Sequence, residues 1–284
     1  MDTILRMTIP TSGRSDLLEV REGDRYEAMP GESAPTSTHD IRLVRRKGVK
    51  NKGRFFSKRS ASDLQTFNEY LTWLIYKAAG MRVAPQVELV MSDDLNHLRL
   101  VQGTVSGRQV KGHSMDPIDI LKKSNITRGL FVDAFLGNWD VIGSAPQFNL
   151  FVGKGGKVSR IDTGGMDFRA QGQRKPEGRF GDVVDELAAW TGLTGPGRKS
   201  GKAYRLFSKM NEAEFRKAAK VFKRLSWSKV DQAMRDGLAR IEFLADKYGQ
   251  DKMLKDAKQY GGSMLPKLKK RHSYLETVIR DLGL

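Results

Sequence analysis

The pattern of apolar and polar positions divides the chain into a strand-rich first part and a helical second part. Before residue 110, several short runs have the apolar, β-branched and aromatic character of strands. A longer stretch over residues 64–78 repeats its apolar residues at helical spacing, with Ser62 placed as the N-cap and Gly80 as the stop. The first part therefore predicts a small sheet that carries one helix. The strand-like runs are residues 41–44, 54–58, 83–90 and 97–101.

Helical periodicity dominates the second part. One helix is predicted to begin near Asp116 or Asp119 and to run to about Leu136. Residues 1–40 are rich in Pro, Gly, Ser and Thr and show little periodicity, so they predict an N-terminal arm. The remaining helices are predicted over residues 182–190, from Asn211, from Ser226 to a stop at Gly249, and around Leu268 to Leu282.

The densest candidate chemistry lies between Gly137 and Gly172. Asp140 stands in a Gly-Asn-Trp-Asp run, and Asn149 and Asp162 flank a Gly-rich turn between two apolar runs. Such a pattern predicts a hairpin that places Asn149 and Asp162 side by side at its open end. Carboxylate and amide oxygens are ligands that Mg²⁺ accepts. Asp140, just upstream, is then placed to act as a base or to orient a hydroxyl nucleophile.

Lys58 and Glu69 form a second candidate pair. The helix over residues 64–78 is apolar on two sides, so Glu69 is expected to be partly buried and to need a cation. Lys58 ends a predicted strand eleven residues upstream and is the nearest candidate. The alternative is that both are separate, solvated charges.

The order Asp140, Asn149, hairpin and Asp162-Thr-Gly resembles the protein-kinase-like superfamily over roughly residues 50–190. The Gly-Asn-x-Asp form is similar to HipA-type toxin kinases, to type II phosphatidylinositol 4-kinases and to bacterial or phage kinase-like domains. The resemblance implies a two-lobed α+β fold, with a small antiparallel β lobe carrying one helix and a larger, mainly helical lobe. It also implies ATP and Mg²⁺ as cofactors and a protein hydroxyl as acceptor. In that scheme Asp140 is the catalytic base, Asn149 and Asp162 bind the metal, and Lys58 with Glu69 holds the phosphates.

The same resemblance implies four regions. Residues 1–40 would be the arm, 41–107 the nucleotide-binding lobe, 108–197 the catalytic part of the large lobe, and 198–284 its basic helical part. A hinge is expected near residues 101–107.

The chain also departs from the family pattern. Nine positions separate Asp140 from Asn149 where five are usual, and no Gly-x-Gly-x-x-Gly loop is present. The basic turn over residues 48–53 or the Ser/Thr-rich residues 33–38 would then cover the phosphates. These departures leave two alternatives open: a non-catalytic kinase-like binding or assembly module, and a site that transfers AMP.

Charge and cysteine content bear on partners and compartment. The net charge is +17, and residues 198–284 hold 22 basic and 10 acidic residues. This excess predicts either a solvated basic surface or a face that docks an acidic protein or nucleic acid. Arg174, Lys175 and Arg179 are expected near a substrate or phosphate, or in a flexible basic loop. The absence of cysteine excludes disulfides and thiolate chemistry and is compatible with a cytoplasmic location. No apolar run reaches the ~18 residues that predict a membrane span.

Overall fold

The computed structural model of the protein describes residues 21–29, 40–48, 53–111, 124–142, 147–169, 173–176, 178–193 and 201–284. Three predicted features lie outside these residues. They are the Ser/Thr-rich residues 33–38, the centre of the basic turn at residues 49–52, and the predicted helix start at Asp116 or Asp119.

A five-stranded antiparallel sheet forms the N-terminal part, as the strand-like runs predict. Its strands lie side by side in the order β1-β2-β3-β5-β4, so β3 runs through the middle. One face packs against a helix and the other covers a small apolar cluster that includes Val44, Phe55 and Val101. The strands are β1 (Tyr26–Ala28), β2 (Asp40–Arg46), β3 (Arg54–Arg59), β4 (Glu88–Met91) and β5 (Leu98–Gly103).

The prediction of an N-terminal arm without regular structure over residues 1–40 is wrong for residues 22–28. A four-residue helix α1 (Glu22–Arg25) leads into β1, which pairs with β2 in the register Tyr26↔Arg46. The Tyr26 ring is buried and contacts Phe55 edge-on, with 5.3 Å between ring centroids. A three-residue strand is too short to show alternation, which is why the pattern does not indicate it.

Helix α2 (Asp63–Ala78) spans the sheet with the boundaries that the sequence predicts. Its N-cap is Ser62, whose hydroxyl accepts a hydrogen bond from the Gln65 amide at 3.1 Å. Gly80 follows the helix with a positive φ of 71°, a conformation that glycine adopts without steric cost. Residues on both faces of α2 are buried, so it lies between the sheet and the helical part of the chain.

A second, three-stranded sheet opens the C-terminal part. It consists of β6 (Arg108–Lys111), β7 (Gln147–Val152) and β8 (Val158–Arg160), in that order, and β7 and β8 form the predicted hairpin. In the described residues, the end of the predicted helix is a 3₁₀ turn (Ile126–Gly129) followed by helix α3 (Leu130–Phe135).

Asn125 fixes the position at which this 3₁₀ turn begins. Its backbone amide donates to Gly156 O at 2.9 Å, and its side-chain oxygen accepts from the Val158 amide at 2.8 Å. Both groups are thus bonded to the β7–β8 hairpin instead of to a preceding helical turn. The start of α3 is therefore fixed by the hairpin.

The remaining helices enclose α3 and reach back to α2. The helix predicted from Asn211 begins there with a capping box formed by Asn211 and Glu214, and the helix from Ser226 ends at Gly249 as predicted. A Cβ atom on Gly237 would lie 2.3 Å from Leu71 Cδ2 of α2, so the two helices pack at close range. No helix in the described ranges is long and apolar enough to cross a membrane. The helices are α4 (Asp185–Thr191), α5 (Gly201–Phe207), α6 (Glu212–Lys223), α7 (Trp227–Tyr248) and α8 (Asp251–Asp281).

Arg271 is not part of the basic surface that the C-terminal charge predicts. It is fully buried in α8 and donates to the carbonyl oxygens of Ala134 and Phe135 at 2.7 and 2.9 Å. It also pairs with Glu186 Oε2 at 2.7 Å. A guanidinium at the last carbonyls of α3 satisfies groups that a helix end leaves unpaired. The long C-terminal helix is thereby fixed to the loop that carries Asp140.

Candidate active site

Lys58 is the centre of a buried cluster of charges. It lies on the middle strand β3, and its Nζ is 2.9 and 3.0 Å from the two carboxylate oxygens of Glu69 on α2. Nζ also contacts Oδ1 of Asp162, just after β8. Lys58 is 4% exposed and Glu69 2%. The predicted ion pair is therefore present, and the alternative of two solvated charges is excluded.

The ionisation of the cluster follows from its burial and its charges. Burial raises the pKa of the Glu69 carboxyl to about 7, although the Lys58 ammonium acts against this. Burial acts to lower the pKa of Lys58, but the Asp162 and Glu69 carboxylates together hold it above its ordinary value. The two carboxylates thus hold Lys58 as a cation, while burial acts against ionisation of Glu69.

The segment that follows Asp162 is bound along α2. The Asn68 side-chain amide donates to Gly165 O at 3.2 Å, and the Thr163 hydroxyl donates to Glu69 O at 3.3 Å. The Thr72 hydroxyl donates to Thr163 O. Three hydrogen bonds therefore couple the position of α2 to the segment that begins at Asp162.

Asp162 has a positive φ of 50°, a conformation that residues other than glycine rarely adopt. Strained residues of this kind persist where the surrounding structure holds them. Here the hydrogen bonds of the following residues and the contact with Lys58 supply that restraint.

Asn149 lies close to Asp162 in the hairpin but not directly opposite it. Leu150 pairs with Arg160, and the Ile161 amide donates to Asn149 O at 3.0 Å. Asn149 therefore faces Ile161, and Asp162 follows one residue later, where its positive φ turns the chain out of the strand. The expectation that the two residues are strict cross-strand partners is wrong by one residue.

Asp140 lies in a different part of the site. It belongs to a 3₁₀ turn (Trp139–Ile142) after α3 and lines a cleft of about 570 Å³ that also reaches Gly165. Lys58, Glu69 and Asp162 do not line this cleft. The structure thus groups the predicted residues into a buried charge cluster and a cleft, joined by the segment from Asp162 to Gly165.

A buried polar network supports the turn that carries Asp140. The Asn138 side chain donates to the Tyr76 hydroxyl at 3.0 Å, and Tyr76 donates to Asp133 Oδ1 at 2.8 Å. Arg160 Nε donates to the same oxygen at 2.6 Å, and its Nη2 contacts the other. Asp133 is therefore the buried centre of this network. The network links α2, α3 and β8 behind the turn that carries Asp140.

Trp139 and Lys175 also belong to the cleft. Trp139 is 44% exposed and meets the Trp190 ring edge-on, with ring centroids 5.4 Å apart. Lys175 is buried in the cleft wall and donates to Gly137 O at 2.7 Å. Burial lowers the pKa of Lys175 to about 8, against the raising effect of Glu186. Arg179 also lines the cleft, whereas Arg174 lies over the Phe168 ring and beside Asp167.

The element order and these contacts define the class of the fold. A small antiparallel β lobe holds a lysine on its middle strand and a glutamate on its one long helix. A larger, mainly helical lobe supplies Asp140 and the hairpin that leads to Asp162. The protein has a two-lobed α+β fold, with a small antiparallel β lobe and a larger, mainly helical lobe.

Comparison with solved structures gives a likeness that is remote in sequence. The chain is similar to the crystal structure of the Helicobacter pylori proinflammatory kinase CtkA, with a TM-score of 0.46 and 13% sequence identity. The match covers 87% of this chain and 95% of that chain. No family model and no curated protein matches the sequence. The relationship to the HipA-type branch therefore stays a prediction.

Proposed function

We propose that the protein is an ATP- and Mg²⁺-dependent phosphotransferase that phosphorylates a hydroxyl group on a protein. The observation that carries this proposal is the buried contact of Lys58 with Glu69 and Asp162. A lysine that is held as a cation by two carboxylates, beside a cleft with a further aspartate, suits the binding of phosphate oxygens. The burial of the pair favours a function for it over a role as surface charge.

The residues around Asp162 fit a magnesium ion. Asp162 and Asn149 offer oxygen donors, which are the ligands that Mg²⁺ prefers. The described residues contain no group of three or more His, Cys, Asp or Glu that could form an all-protein metal site. One carboxylate with an amide oxygen suits Mg²⁺, which commonly takes its other ligands from water and substrate phosphates. When bound, the ion would neutralise charge on the transferring phosphate.

The protein groups then have distinct tasks in the reaction. Lys58 binds phosphate oxygens, and Glu69 fixes the direction of its ammonium group. The acceptor oxygen bonds to the terminal phosphorus of ATP, the bond to the bridging oxygen breaks, and ADP leaves with that electron pair. The hydroxyl proton passes to Asp140. Positioning and charge stabilisation supply most of the rate in such a reaction.

Transfer of phosphate to protein tests the proposal. The purified chain is incubated with ATP, Mg²⁺ and a dephosphorylated proteome extract, and the added mass is read by mass spectrometry. We expect phosphate to be added, and we expect Lys58→Met to lower the yield by ~10²–10³-fold, as for loss of a transition-state donor. Lys154→Met, at an exposed lysine of the β7–β8 turn, is the matched control and should act like wild type.

The other outcomes separate the two alternatives. Addition of AMP would mean that the same site transfers nucleotide instead of phosphate. The absence of any added group, in wild type and control alike, would favour a non-catalytic module.

A further inference from the structure

The cleft beside Asp140 contains basic residues that have no role in the proposed transfer step. Its described lining includes the three cations Arg169, Lys175 and Arg179. Arg169 and Arg179 are exposed at the rim, and no carboxylate of the described residues pairs with either. Lys175 is buried at the wall. Three cations that converge on one open cleft favour an anionic occupant.

The described acidic residues of the cleft lining have other roles. Glu186 is bound through Oε2 to the buried Arg271, and Asp140 is assigned to the acceptor hydroxyl. Asp185 begins α4, where a carboxylate is stabilised by the helix N-terminus. Among the described residues, the positive charge of Arg169 and Arg179 is therefore not matched by a paired carboxylate.

Two buried oxygen atoms in the cleft wall lack donors. Glu186 Oε1 and Asn138 Oδ1 have no hydrogen-bond partner in the described part of the chain, although both residues are at most 2% exposed. Buried polar atoms are nearly always paired, so each calls for an external donor. A peptide supplies such donors from its backbone amides and its hydroxyl.

Gly137 shapes the floor between these groups. Its φ is +57°, and a Cβ atom there would lie 2.8 Å from both Lys175 Nζ and Glu186 Oε1. A side chain at this position would collide with both groups, so glycine lets the chain pass between them in the cleft wall. The exposed face of Trp139 adds an apolar surface at the mouth, which suits packing against an extended chain.

We propose that this cleft selects peptide acceptors in which an anionic group lies close to the hydroxyl that is phosphorylated. Arg169 and Arg179 bind the anion at the rim, and Lys175 binds it from the wall. The anion is either an Asp or Glu carboxylate or a phosphate ester already on the peptide, since both present the same oxygen acceptors. This inference rests on the proposed phosphotransferase function.

Peptide pools with a fixed central serine test the selection. Three pools carry neutral residues, glutamate or phosphoserine at the flanking positions, and each is incubated with the full chain, Mg²⁺ and γ-labelled ATP. We expect kcat/KM to be ~10-fold or more higher for at least one anionic pool than for the neutral pool, as for one added charge-assisted hydrogen bond. The glutamate and phosphoserine arms identify the source of the anion.

Arginine variants connect the preference to the cleft. Arg169→Gln and Arg179→Gln should each reduce the anionic-to-neutral ratio towards one, mainly through a higher KM for the anionic pool. Arg224→Gln, at an exposed arginine after α6, is the matched control and should keep the ratio. Equal rates for all pools, or a ratio that survives both cleft variants, would overturn the proposal.

Lys175 gives an independent readout through pH. Glu186, Asp140 and Asp167 face Lys175 and favour its ammonium form, whereas Arg271 and burial disfavour it, and the pKa is lowered to about 8. The lysine is charged below that pH, so transfer to the anionic pool should decline as pH rises through about 8. Lys175→Arg should move this decline to higher pH because a guanidinium stays charged, and Lys175→Met should remove it. A pH profile that is the same in all three proteins would count against the role of Lys175.

Release of labelled phosphate to water separates failure of the inference from failure of the proposed function. Hydrolysis of ATP that is lost in Lys58→Met, without labelling of any peptide pool, would retain the phosphotransferase site and overturn the peptide acceptor. No hydrolysis and no labelling would overturn both.

Discussion

Replacement of Asp140 by asparagine should lower phosphoryl transfer by ~10²–10⁴-fold, the range for loss of a general base. The amide keeps the size of the side chain but cannot take the proton of the acceptor hydroxyl. Mg-ATP affinity should change little, because Asp140 lines the cleft and not the buried cluster around Lys58. Initial rates of transfer and a nucleotide titration on the same preparation measure both effects.

Asp182→Asn is the control for this experiment. Asp182 is exposed and pairs with Lys270 on the surface, so its replacement should leave the rate at the wild-type level. Transfer by Asp140→Asn at the wild-type rate would show that the base has been assigned wrongly.

Replacement of Arg160 by methionine should cost ~3–5 kcal/mol in the free energy of unfolding, the range for breaking a buried ion pair from one side. It leaves the Asp133 carboxylate fully buried, with Tyr76 as its remaining partner among the described residues. Urea unfolding followed by circular dichroism measures the loss. Arg128→Met is the matched control. Arg128 is an exposed arginine on the 3₁₀ turn before α3, and its replacement should change stability by less than ~0.5 kcal/mol.

The pH dependence of stability in Arg160→Met tests whether the unpaired Asp133 carboxylate causes the loss. Burial already raises the pKa of Asp133 in the intact pair, and removal of the guanidinium should raise it further. A protein that contains a carboxyl with a raised pKa in the folded state loses stability as pH rises through that pKa. The loss of unfolding free energy in Arg160→Met, relative to wild type, should therefore become smaller as pH falls towards about 4, where the unfolded carboxyl is also protonated. The double variant Asp133→Leu/Arg160→Met should recover part of the stability. If the loss of stability depends neither on pH nor on the added Asp133→Leu substitution, its cause is a packing defect instead.

Features set by neighbouring residues could be predicted from the sequence. Lys58 and Glu69 are eleven positions apart, and a strand end followed at once by a two-sided apolar helix is enough to pair them. The hairpin before Asp162 is equally local, and its turn lies where the glycines indicate. The error of one residue in the position of Asn149 arises from the register of the hairpin, in which Leu150 pairs with Arg160. The glycines mark the turn but do not fix its length.

The buried polar network could not be predicted because its members are far apart in sequence. Tyr76 and Asp133 are 57 positions apart, and a single acidic residue in a short helix indicates a solvent-facing position on pattern alone. Glu186 and Lys175 likewise carry no local signal of burial. Their places depend on how α4 and the segment after β8 pack against the loop at Gly137.

The burial of Arg271 could be predicted from its position in the sequence, although the net charge suggests a surface residue. It lies three residues after Leu268 and four before Leu275, so it falls on the apolar stripe of α8. A basic residue at such a position is expected to be buried with acceptors, as it is here. Net charge over residues 198–284 therefore overstates the basic surface available to a partner.

Thermal unfolding with and without Mg-ATP tests the central claim that Lys58, Glu69 and Asp162 form a nucleotide site. A ligand at ~100 times its dissociation constant stabilises the folded state by ~2.7 kcal/mol, so saturating Mg-ATP should raise the melting temperature of the wild-type chain. ATP with EDTA should raise it less, and Asp162→Asn should abolish the difference between the two conditions, since Asp162 is the proposed metal ligand. Lys58→Met should weaken the response to both. A wild-type melting temperature that does not respond to millimolar Mg-ATP would contradict the account.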